Sequence, residues 1–488
     1  MTDKVNIRRL PTGVPGMDEV LGGGVPEFSF NLIAGAPGSG KTTLAHQMMF
    51  SLVSPDCKAL FFTVVGEPPL KMLRYQQQFA FFDVAQVNKT IRYINLADVL
   101  QEGDFDRVLE RIAQEVRDFS PRLVFVDSFR SVVLAGRAEG GKSSSLQHFI
   151  QQLGLQMTSW QATTFLIGEY TTPEAELSPI FTVADGIFWI SQLTHRDSIV
   201  RKIQVMKIRG QSQKLGLHTF RIGPQGIEVF PRLILDSGAV QVTGDKRLSL
   251  GVPVLDQMMG GGLPAAYSML LVGPSGSGKT VLATQFLEAG VKLGEPGVIA
   301  AFEKSPNQLL SQRLNRLVTD GHVGLIDTRA LDLSIDEILH DMVALNKKMN
   351  AKRVVIDSLS GFELALAPVF RENFRETLYR LVAVLTGMGV TVVMTAELED
   401  RYTDLRFSSY GNAFLTDAIV MQRYVELKGQ LRKVISVIKV RASEHSKDLR
   451  FYDVKNGELR IDQAAAPYSN VLSGRIGPEQ GQEPLARL

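Results

Sequence analysis

Short apolar runs alternate with amphipathic segments along this chain, and the same order of segments occurs twice. In each half a strand-length apolar run, residues 30–34 and 268–272, leads into a glycine-rich turn. Apolar residues at helical spacing follow each turn: Leu44, Met48 and Leu52, then Val281, Phe286 and Val291. The repeated order of strand, turn and helix predicts an α/β fold with mainly parallel sheets flanked by helices.

Two more apolar runs in each half predict neighbouring strands of the same sheets. One run ends in an aspartate, at Asp127 in the first half and at Asp357 in the second. The other occupies residues 59–64 and 297–302. A β-branched run that ends in a carboxylate is typical of a buried parallel strand that carries an acid to the carboxyl edge of its sheet. We therefore expect both aspartates at ligand-binding edges.

The two glycine-rich turns have the sequence of phosphate-binding loops. Both fit the pattern G-x-x-x-x-G-K-[ST] at every fixed position. Glycine lets the backbone N–H groups turn inward around an anion, and the positive end of the following helix faces the phosphates. The candidate nucleotide-binding residues are Gly35, Pro37, Gly38, Ser39, Gly40, Lys41, Thr42, Thr43, Gly273, Ser275, Gly276, Ser277, Gly278, Lys279, Thr280 and Val281.

Polar side chains of the loops and the strand ends carry the expected chemistry. Lys41 and Lys279 are catalytic candidates because a loop lysine reaches the β- and γ-phosphate oxygens. The loop threonine hydroxyl ligates Mg²⁺, and a strand-end aspartate holds the metal shell directly or through water. The expected metal ligands are Thr42, Asp127, Thr280 and Asp357. The expected cofactors are therefore ATP and Mg²⁺.

An acid that activates the attacking water is expected just after the strand of residues 59–64 or 297–302. Glu303 follows the second of these runs directly, whereas in the first half Glu67 comes later in the turn. A carboxylate at this place can position or deprotonate the water that attacks the γ-phosphate. Both glutamates are catalytic candidates, and the alternative for each is a solvated turn residue.

Length and composition set the domain organisation and argue against several partners. The repeat divides the 488 residues into domains at 1–235 and 236–462, followed by a tail at 463–488 that we expect to be poorly ordered. A net charge of +2 gives no electrostatic case for nucleic acid or an anionic membrane as main partner. Cys57 is the only cysteine, which fits a reducing cytoplasm, and no apolar run is long enough to span a bilayer.

Paired features around the loops resemble a known family. Each loop follows a Gly-Gly-Gly turn, each strand-end aspartate is followed by serine, and each half contains a Lys-x-Arg after an alternating strand. Together they resemble the KaiC family, the double-domain RecA-type ATPases of the cyanobacterial clock, from about Arg9 to Ile461. The resemblance implies two tandem RecA-like P-loop NTPase domains, ATP hydrolysis and a two-tiered homohexamer with nucleotide between subunits. It also implies four residues that reach the γ-phosphate of a neighbouring subunit: Lys207, Arg209, Lys439 and Arg441.

The chain departs from this family at the acids. Clock-type members carry two adjacent glutamates after the second strand of each domain, and the matching positions here are Val65-Gly66 and Glu303-Lys304. The first site lacks both acids unless Glu67 substitutes. We therefore expect the second repeat to hydrolyse ATP and the first mainly to bind ATP and hold the ring together.

The family's functions leave alternatives open. The serine and threonine that clock-type relatives phosphorylate are replaced by Ala413 and Phe414, although Ser408, Ser409 and Thr416 are nearby hydroxyls. The preferred interpretation is a ring ATPase acting as a nucleotide-driven switch, timer or signalling scaffold. In clock-type relatives a regulator binds the C-terminal segment, so the resemblance makes residues 463–488 a candidate binding segment for a regulatory protein. Alternatives are a serine/threonine autokinase of a circadian-like system, a RecA- or helicase-like DNA-dependent ATPase, and a scaffold with negligible turnover.

Overall fold

The computed structural model of the chain contains two compact units, Met1–Arg232 and Leu233–Leu488. The structure describes residues 7–64, 69–100, 105–132, 143–171, 178–195, 198–233, 246–302, 312–327, 333–372, 374–398, 415–465, 468–469 and 477–478. Within these residues each unit is built around one sheet of nine strands.

The first sheet combines six parallel strands with three antiparallel strands. Its order is β11-β10-β9-β8-β3-β7-β6-β4-β5, and β9, β10 and β11 are antiparallel to their neighbours. The strands of the first unit are β1 Arg9–Leu10, β2 Val25–Pro26, β3 Phe30–Gly35, β4 Ala59–Thr63, β5 Ile91–Asn95, β6 Leu123–Asp127, β7 Thr163–Glu169, β8 Gly186–His195, β9 Ser198–Ile208, β10 His218–Gly223 and β11 Gly226–Phe230.

The second sheet repeats this arrangement strand for strand. Its order is β16-β15-β17-β18-β14-β19-β20-β21-β22, with the antiparallel strands again at one side. The strands of the second unit are β12 Arg247–Leu248, β13 Leu263–Pro264, β14 Ser268–Gly273, β15 Gly297–Ala301, β16 Val323–Asp327, β17 Arg353–Asp357, β18 Thr391–Glu397, β19 Ala418–Leu427, β20 Gln430–Val440, β21 Arg450–Lys455, β22 Glu458–Ala465, β23 Tyr468–Ser469 and β24 Gly477–Pro478.

Helices follow the parallel strands and cover the sheets. In the first unit they are α1 Met17–Leu21, α2 Lys41–Leu52, α3 Pro69–Gln76, α4 Ala97–Leu100, α5 Phe105–Phe119, α6 Ser143–Ser159 and α7 Ile180–Val183. In the second unit they are α8 Pro253–Met258, α9 Lys279–Val291, α10 Gln312–Thr319, α11 Ile335–Met349, α12 Leu359–Ala365, α13 Pro368–Arg371 and α14 Phe374–Gly387. Among the described helices, none is long and apolar enough to cross a membrane.

The prediction of two mainly parallel sheets flanked by helices is confirmed. The central strands are mostly apolar because helices bury both of their faces, and every residue of β3 and β14 is buried. Two strands end one residue earlier than their apolar runs, at Thr63 and Ala301. Strand β22, the last strand along the chain to join the nine-stranded sheet, continues to Ala465, so three residues assigned to the tail lie in that sheet.

A buried arginine at the amino edge of the second sheet has no counterpart at the matching position of the first sheet. Arg353 begins β17 with 0 % of its surface exposed, whereas Leu123 begins the matching strand β6. Its guanidinium donates to the carboxylate of Glu295 at 3.2 Å and to the backbone oxygens of Ser249 and Phe286 at 2.7 and 3.0 Å. The buried charge is therefore hydrogen-bonded on several sides, as buried ions require.

Candidate functional site

Each phosphate loop lies at the carboxyl edge of its sheet, between a buried strand and a helix. The first loop joins β3 to α2, and the second joins β14 to α9. Gly40 and Gly278 precede the two helices with φ angles of 105° and 107°, a left-handed conformation that favours glycine. The loop N–H groups and the positive helix end thus face the same edge, which suits a bound phosphate.

The loop lysines are buried against their own loops. Lys41 Nζ donates to the Ala36 carbonyl at 2.8 Å, and Lys279 Nζ donates to the Gly273 and Pro274 carbonyls at 2.8 and 2.9 Å. Burial lowers the pKa of Lys41, and the nearby carboxylates of Glu169 and Asp127 partly oppose this shift. A partly desolvated ammonium that donates to loop carbonyls is well placed to exchange these acceptors for phosphate oxygens.

The structure brings together the threonine and aspartate expected to bind Mg²⁺ in each repeat. Thr42 Oγ1 donates to Asp127 Oδ2 at 2.7 Å, and Thr280 Oγ1 donates to Asp357 Oδ2 at 2.8 Å. Both Asp–Ser peptide bonds that follow are cis. Hydroxyl and carboxylate oxygens are the ligands that Mg²⁺ prefers, so these pairs fit the metal. When bound there, Mg²⁺ would neutralise charge on the β- and γ-phosphates.

A second hydroxyl holds the aspartate of the second repeat. Thr395 Oγ1 donates to Asp357 Oδ1 at 2.5 Å. In the first sheet Ile167 occupies the matching position of strand β7, opposite Asp127. An isoleucine cannot donate a hydrogen bond, so the two aspartates differ in how they are oriented.

A cleft of about 320 Å³ opens at the second loop. Its lining includes Asp357, Ser358 and six residues of the loop and helix start: Ser275, Gly276, Gly278, Lys279, Thr280 and Val281. Three further lining residues were not expected from the sequence: Glu397, Lys433 and Val454. Lys433 Nζ donates to the Gly276 carbonyl of the loop at 3.0 Å. The cleft thus carries two lysines near the phosphate position.

One of these three residues had a signal in the sequence. Glu397 ends the apolar strand β18, which lies beside β14, so it follows the same rule as the strand-end aspartates. Glu169 is its counterpart at the end of β7. Lys433 and Val454 come from antiparallel strands, and only the pairing of those strands brings them to the loop.

The Lys-x-Arg pairs lie at the opposite edge of each sheet from the unit's own loop. Arg209 N donates to Asp185 O, and Asp185 precedes the strand that runs parallel to β3. Arg209 Nη1 contacts Asp185 Oδ1 at 3.0 Å. In the second repeat Arg441 Nη1 contacts Asp417 Oδ1 at 3.2 Å. A six-residue strand separates these cations from their own loop by about 20 Å.

The lysines of these pairs donate to backbone carbonyls. Lys207 Nζ lies 2.9 Å from Thr182 O, and Lys439 Nζ lies 2.6 Å from Thr416 O. Burial lowers the pKa of each lysine, and the neighbouring arginine lowers it further. Each pair is therefore held as a unit at the amino edge of its sheet.

A buried histidine lies one turn behind the first loop. His46 has 0 % of its surface exposed, and its Nδ1 donates to the Thr42 carbonyl at 2.8 Å. Its ring packs against Phe61 at 4.5 Å and near Tyr93 at 6.1 Å. Burial lowers the pKa of His46 to about 4, so the ring is neutral near pH 7. Thr284 is the counterpart in the second repeat.

Several predicted residues lie outside the residues that the structure describes. They are Glu67, Glu303, Ala413, Phe414, Ser408, Ser409 and most of the tail. The roles assigned to these residues stay predictions.

Comparison with known proteins identifies the family. A family model described as "ATPase: KaiC" matches residues 10–234 and again residues 248–466. The chain belongs to the KaiC ATPase family. The two matches each contain one complete sheet and one phosphate loop, so the KaiC ATPase domain is present twice.

Relatives named KaiC match this chain over nearly its whole length and over nearly their own whole length. The circadian clock oscillator protein KaiC of Picosynechococcus sp. is 27% identical over 99% of this chain and 95% of its own. The circadian clock protein KaiC3 of Synechocystis sp. is 25% identical over 96% of this chain and 94% of its own. At 25 to 27% sequence identity, individual site residues can differ between this chain and these relatives.

Proposed function

We propose that the chain is an ATP-binding and ATP-hydrolysing ring protein that acts as a nucleotide-driven switch, timer or signalling scaffold. The duplicated geometry of the loops carries this proposal, because a buried lysine and a threonine–aspartate pair converge at both carboxyl edges. ATP is the proposed substrate, with Mg²⁺ at each threonine–aspartate pair. The names of the relatives, circadian clock proteins, support a timer or switch. The proposed location is the cytoplasm.

The position of the Lys-x-Arg pairs supports a ring in which neighbouring subunits complete each site. Because these cations lie about 20 Å from their own loop, they are unable to contact nucleotide bound there. A neighbouring subunit, stacked edge to edge, brings them within reach of its loop. We propose a homohexamer in which Lys207 and Arg209 serve the first site and Lys439 and Arg441 the second. In that assembly the cations stabilise charge on the γ-phosphate.

We further propose that the two sites have unequal roles, with hydrolysis at the second. Strand β15 pairs with β17 so that Ala301 stands opposite Asp357, and Glu303 follows two residues later in the chain. In the first repeat Thr63 stands opposite Asp127, and the next acid, Glu67, comes four residues later. The earlier acid supports Glu303 as the group that activates water.

Native mass spectrometry with and without Mg-ATP tests the ring and the unequal sites together. The expected species with ATP is a hexamer that retains ATP at the first sites and ADP at the second sites. A chain that stays monomeric in ATP contradicts the ring. A hexamer with only ADP in all sites contradicts a first site that mainly binds ATP.

The autokinase alternative has a separate test. Relatives named as clock proteins motivate it, whereas the family resemblance places the phosphorylated pair at positions that here are Ala413 and Phe414. Phosphoprotein mass spectrometry after incubation with Mg-ATP is expected to find no phosphate from Ser408 to Thr416. Phosphate on any of these residues would make the chain an autokinase. We propose that a regulatory protein binds the tail of residues 463–488.

A further inference from the structure

The second phosphate loop is held by two buried side chains from outside the loop. Ser277 Oγ donates to Gln422 Oε1 at 3.0 Å, and the hydroxyl of Tyr452 donates to the Ser277 carbonyl at 2.7 Å. Ser277 and Gln422 are 0 % exposed and Tyr452 is 2 % exposed. Both hydrogen bonds are thus protected from competing water.

The first phosphate loop has apolar residues at both supporting positions. Gly35 pairs with Ile190 in the first sheet, which places Ile190 at the position of Gln422. Phe220 stands at the position of Tyr452, because Phe220 pairs with Arg201 as Tyr452 pairs with Lys433. Neither an isoleucine nor a phenylalanine side chain forms hydrogen bonds.

The consequence is visible at Ser39, the counterpart of Ser277. Its hydroxyl oxygen is buried and has no hydrogen-bond partner among the described residues. A loop that binds phosphate must hold its N–H groups inward, and any ordering that is left until binding reduces affinity. Buried hydrogen bonds formed before the ligand arrives remove part of that cost. The two loops therefore differ in how far they are ordered in advance.

We propose that Gln422 and Tyr452 are positioning residues that fix the second loop in its phosphate-binding shape. They act through Ser277 and contact no reacting atom. The second site consequently releases nucleoside diphosphate more slowly than the first, whose loop lacks both supports. This inference rests on the proposed nucleotide binding at both loops, but it does not depend on which site hydrolyses ATP.

Dissociation of a fluorescent N-methylanthraniloyl-ADP from the full-length protein tests the inference at each site separately. The Lys41→Ala background reports on the second site, and the Lys279→Ala background reports on the first. In the Lys41→Ala background Tyr452→Phe removes one hydroxyl and is expected to speed dissociation about tenfold, the effect of one buried hydrogen bond. Tyr379→Phe, at an exposed tyrosine of α14, is the matched control and should leave the rate unchanged.

The reciprocal variant transfers the support to the first loop. Phe220→Tyr in the Lys279→Ala background supplies the missing hydroxyl opposite Ser39 and is expected to slow dissociation about fivefold. Tyr452→Phe with an unchanged melting temperature and an unchanged dissociation rate would overturn the inference. If Tyr452→Phe does not fold, an unchanged rate in Phe220→Tyr overturns it instead.

The same measurements separate this inference from the proposed function. Because ADP is the probe, the rates are independent of hydrolysis. Absence of ADP binding in both background proteins refutes nucleotide binding at the loops, and with it both proposals. Binding at both sites, with dissociation rates that neither Tyr452→Phe nor Phe220→Tyr changes, refutes the positioning role alone.

Discussion

Replacing His46 by threonine should remove the contribution that the titration of this buried histidine makes to the pH dependence of the free energy of unfolding of the first unit. The ring is buried, its Nδ1 donates to Thr42 O, and its Nε2 has no hydrogen-bond partner among the described residues. A protonated ring would therefore carry a buried charge and an unpaired N–H. These costs lower the pKa of His46 from 6.5 to about 4.

The direction and size of the effect follow from proton linkage. Between pH 6.5 and 4 the unfolded chain binds a proton at His46 that the folded chain does not, so the free energy of unfolding falls as pH falls through this window. From pH 7 to pH 5 the expected loss is about 2 kcal/mol, from 1.36 kcal/mol per pKa unit. Above pH 7 this contribution is constant.

Denaturant unfolding followed by tryptophan fluorescence measures this loss in the first unit alone. Both tryptophans of the chain, Trp160 and Trp189, lie in the first unit. His46→Thr introduces the residue found at Thr284 and should reduce the decline from pH 7 to pH 5 by about 2 kcal/mol. His148→Gln, at an exposed histidine of the same unit, is the control. A decline of equal size in wild type and His46→Thr would show that the burial of His46 does not cause this pH dependence.

Three further predictions concern the second unit. Glu295→Ala removes a partner of the buried Arg353 and should lower the free energy of unfolding of this unit by roughly 3 kcal/mol. Denaturant unfolding followed by circular dichroism measures the loss, and the tryptophan transition of the first unit should not shift. Equal stability would show that the hydrogen bonds from Arg353 to backbone carbonyls suffice. Asp357→Asn should raise the Mg²⁺ concentration for half-maximal phosphate release at least about tenfold, and an unchanged requirement contradicts the metal assignment. Arg441→Ala should lower turnover by roughly 10³. Mixing it with Lys279→Ala subunits should restore part of the activity, because an intact loop of one variant then meets an intact Arg441 of the other. If mixing restores no activity, neighbouring subunits do not share the site.

Local patterns in the sequence were sufficient to predict the sheets and the loops. Apolar runs fix which strands are buried on both faces, and glycines mark the turns where backbone N–H groups converge. The convergence of Thr42 with Asp127 also follows from local rules, because the helix that begins with Lys41-Thr42 follows the carboxyl end of β3 and Asp127 ends the parallel strand β6. Glu397 obeys the same rule, so its place in the cleft was open to prediction.

Contacts that depend on antiparallel pairing were not predictable in this way. Lys433 reaches the second loop because β20 pairs with β19, and Tyr452 reaches Ser277 because β21 pairs with β20. Periodicity gives the face on which a residue lies but not the register that sets its partner. The burial of Arg353 was also hidden, because an arginine that begins a strand is usually solvated, and its acceptors come from distant segments.

Steady-state phosphate release from Glu303→Gln and Glu67→Gln tests the central claim most directly. Each change removes a negative charge while it preserves the size of the side chain, so ring assembly in ATP serves as the control for both. If Glu303 activates the attacking water, Glu303→Gln lowers turnover by about 10² or more, the usual contribution of a general base, and Glu67→Gln leaves turnover nearly unchanged. Unchanged turnover in Glu303→Gln together with lost turnover in Glu67→Gln would place hydrolysis at the first site instead of the second.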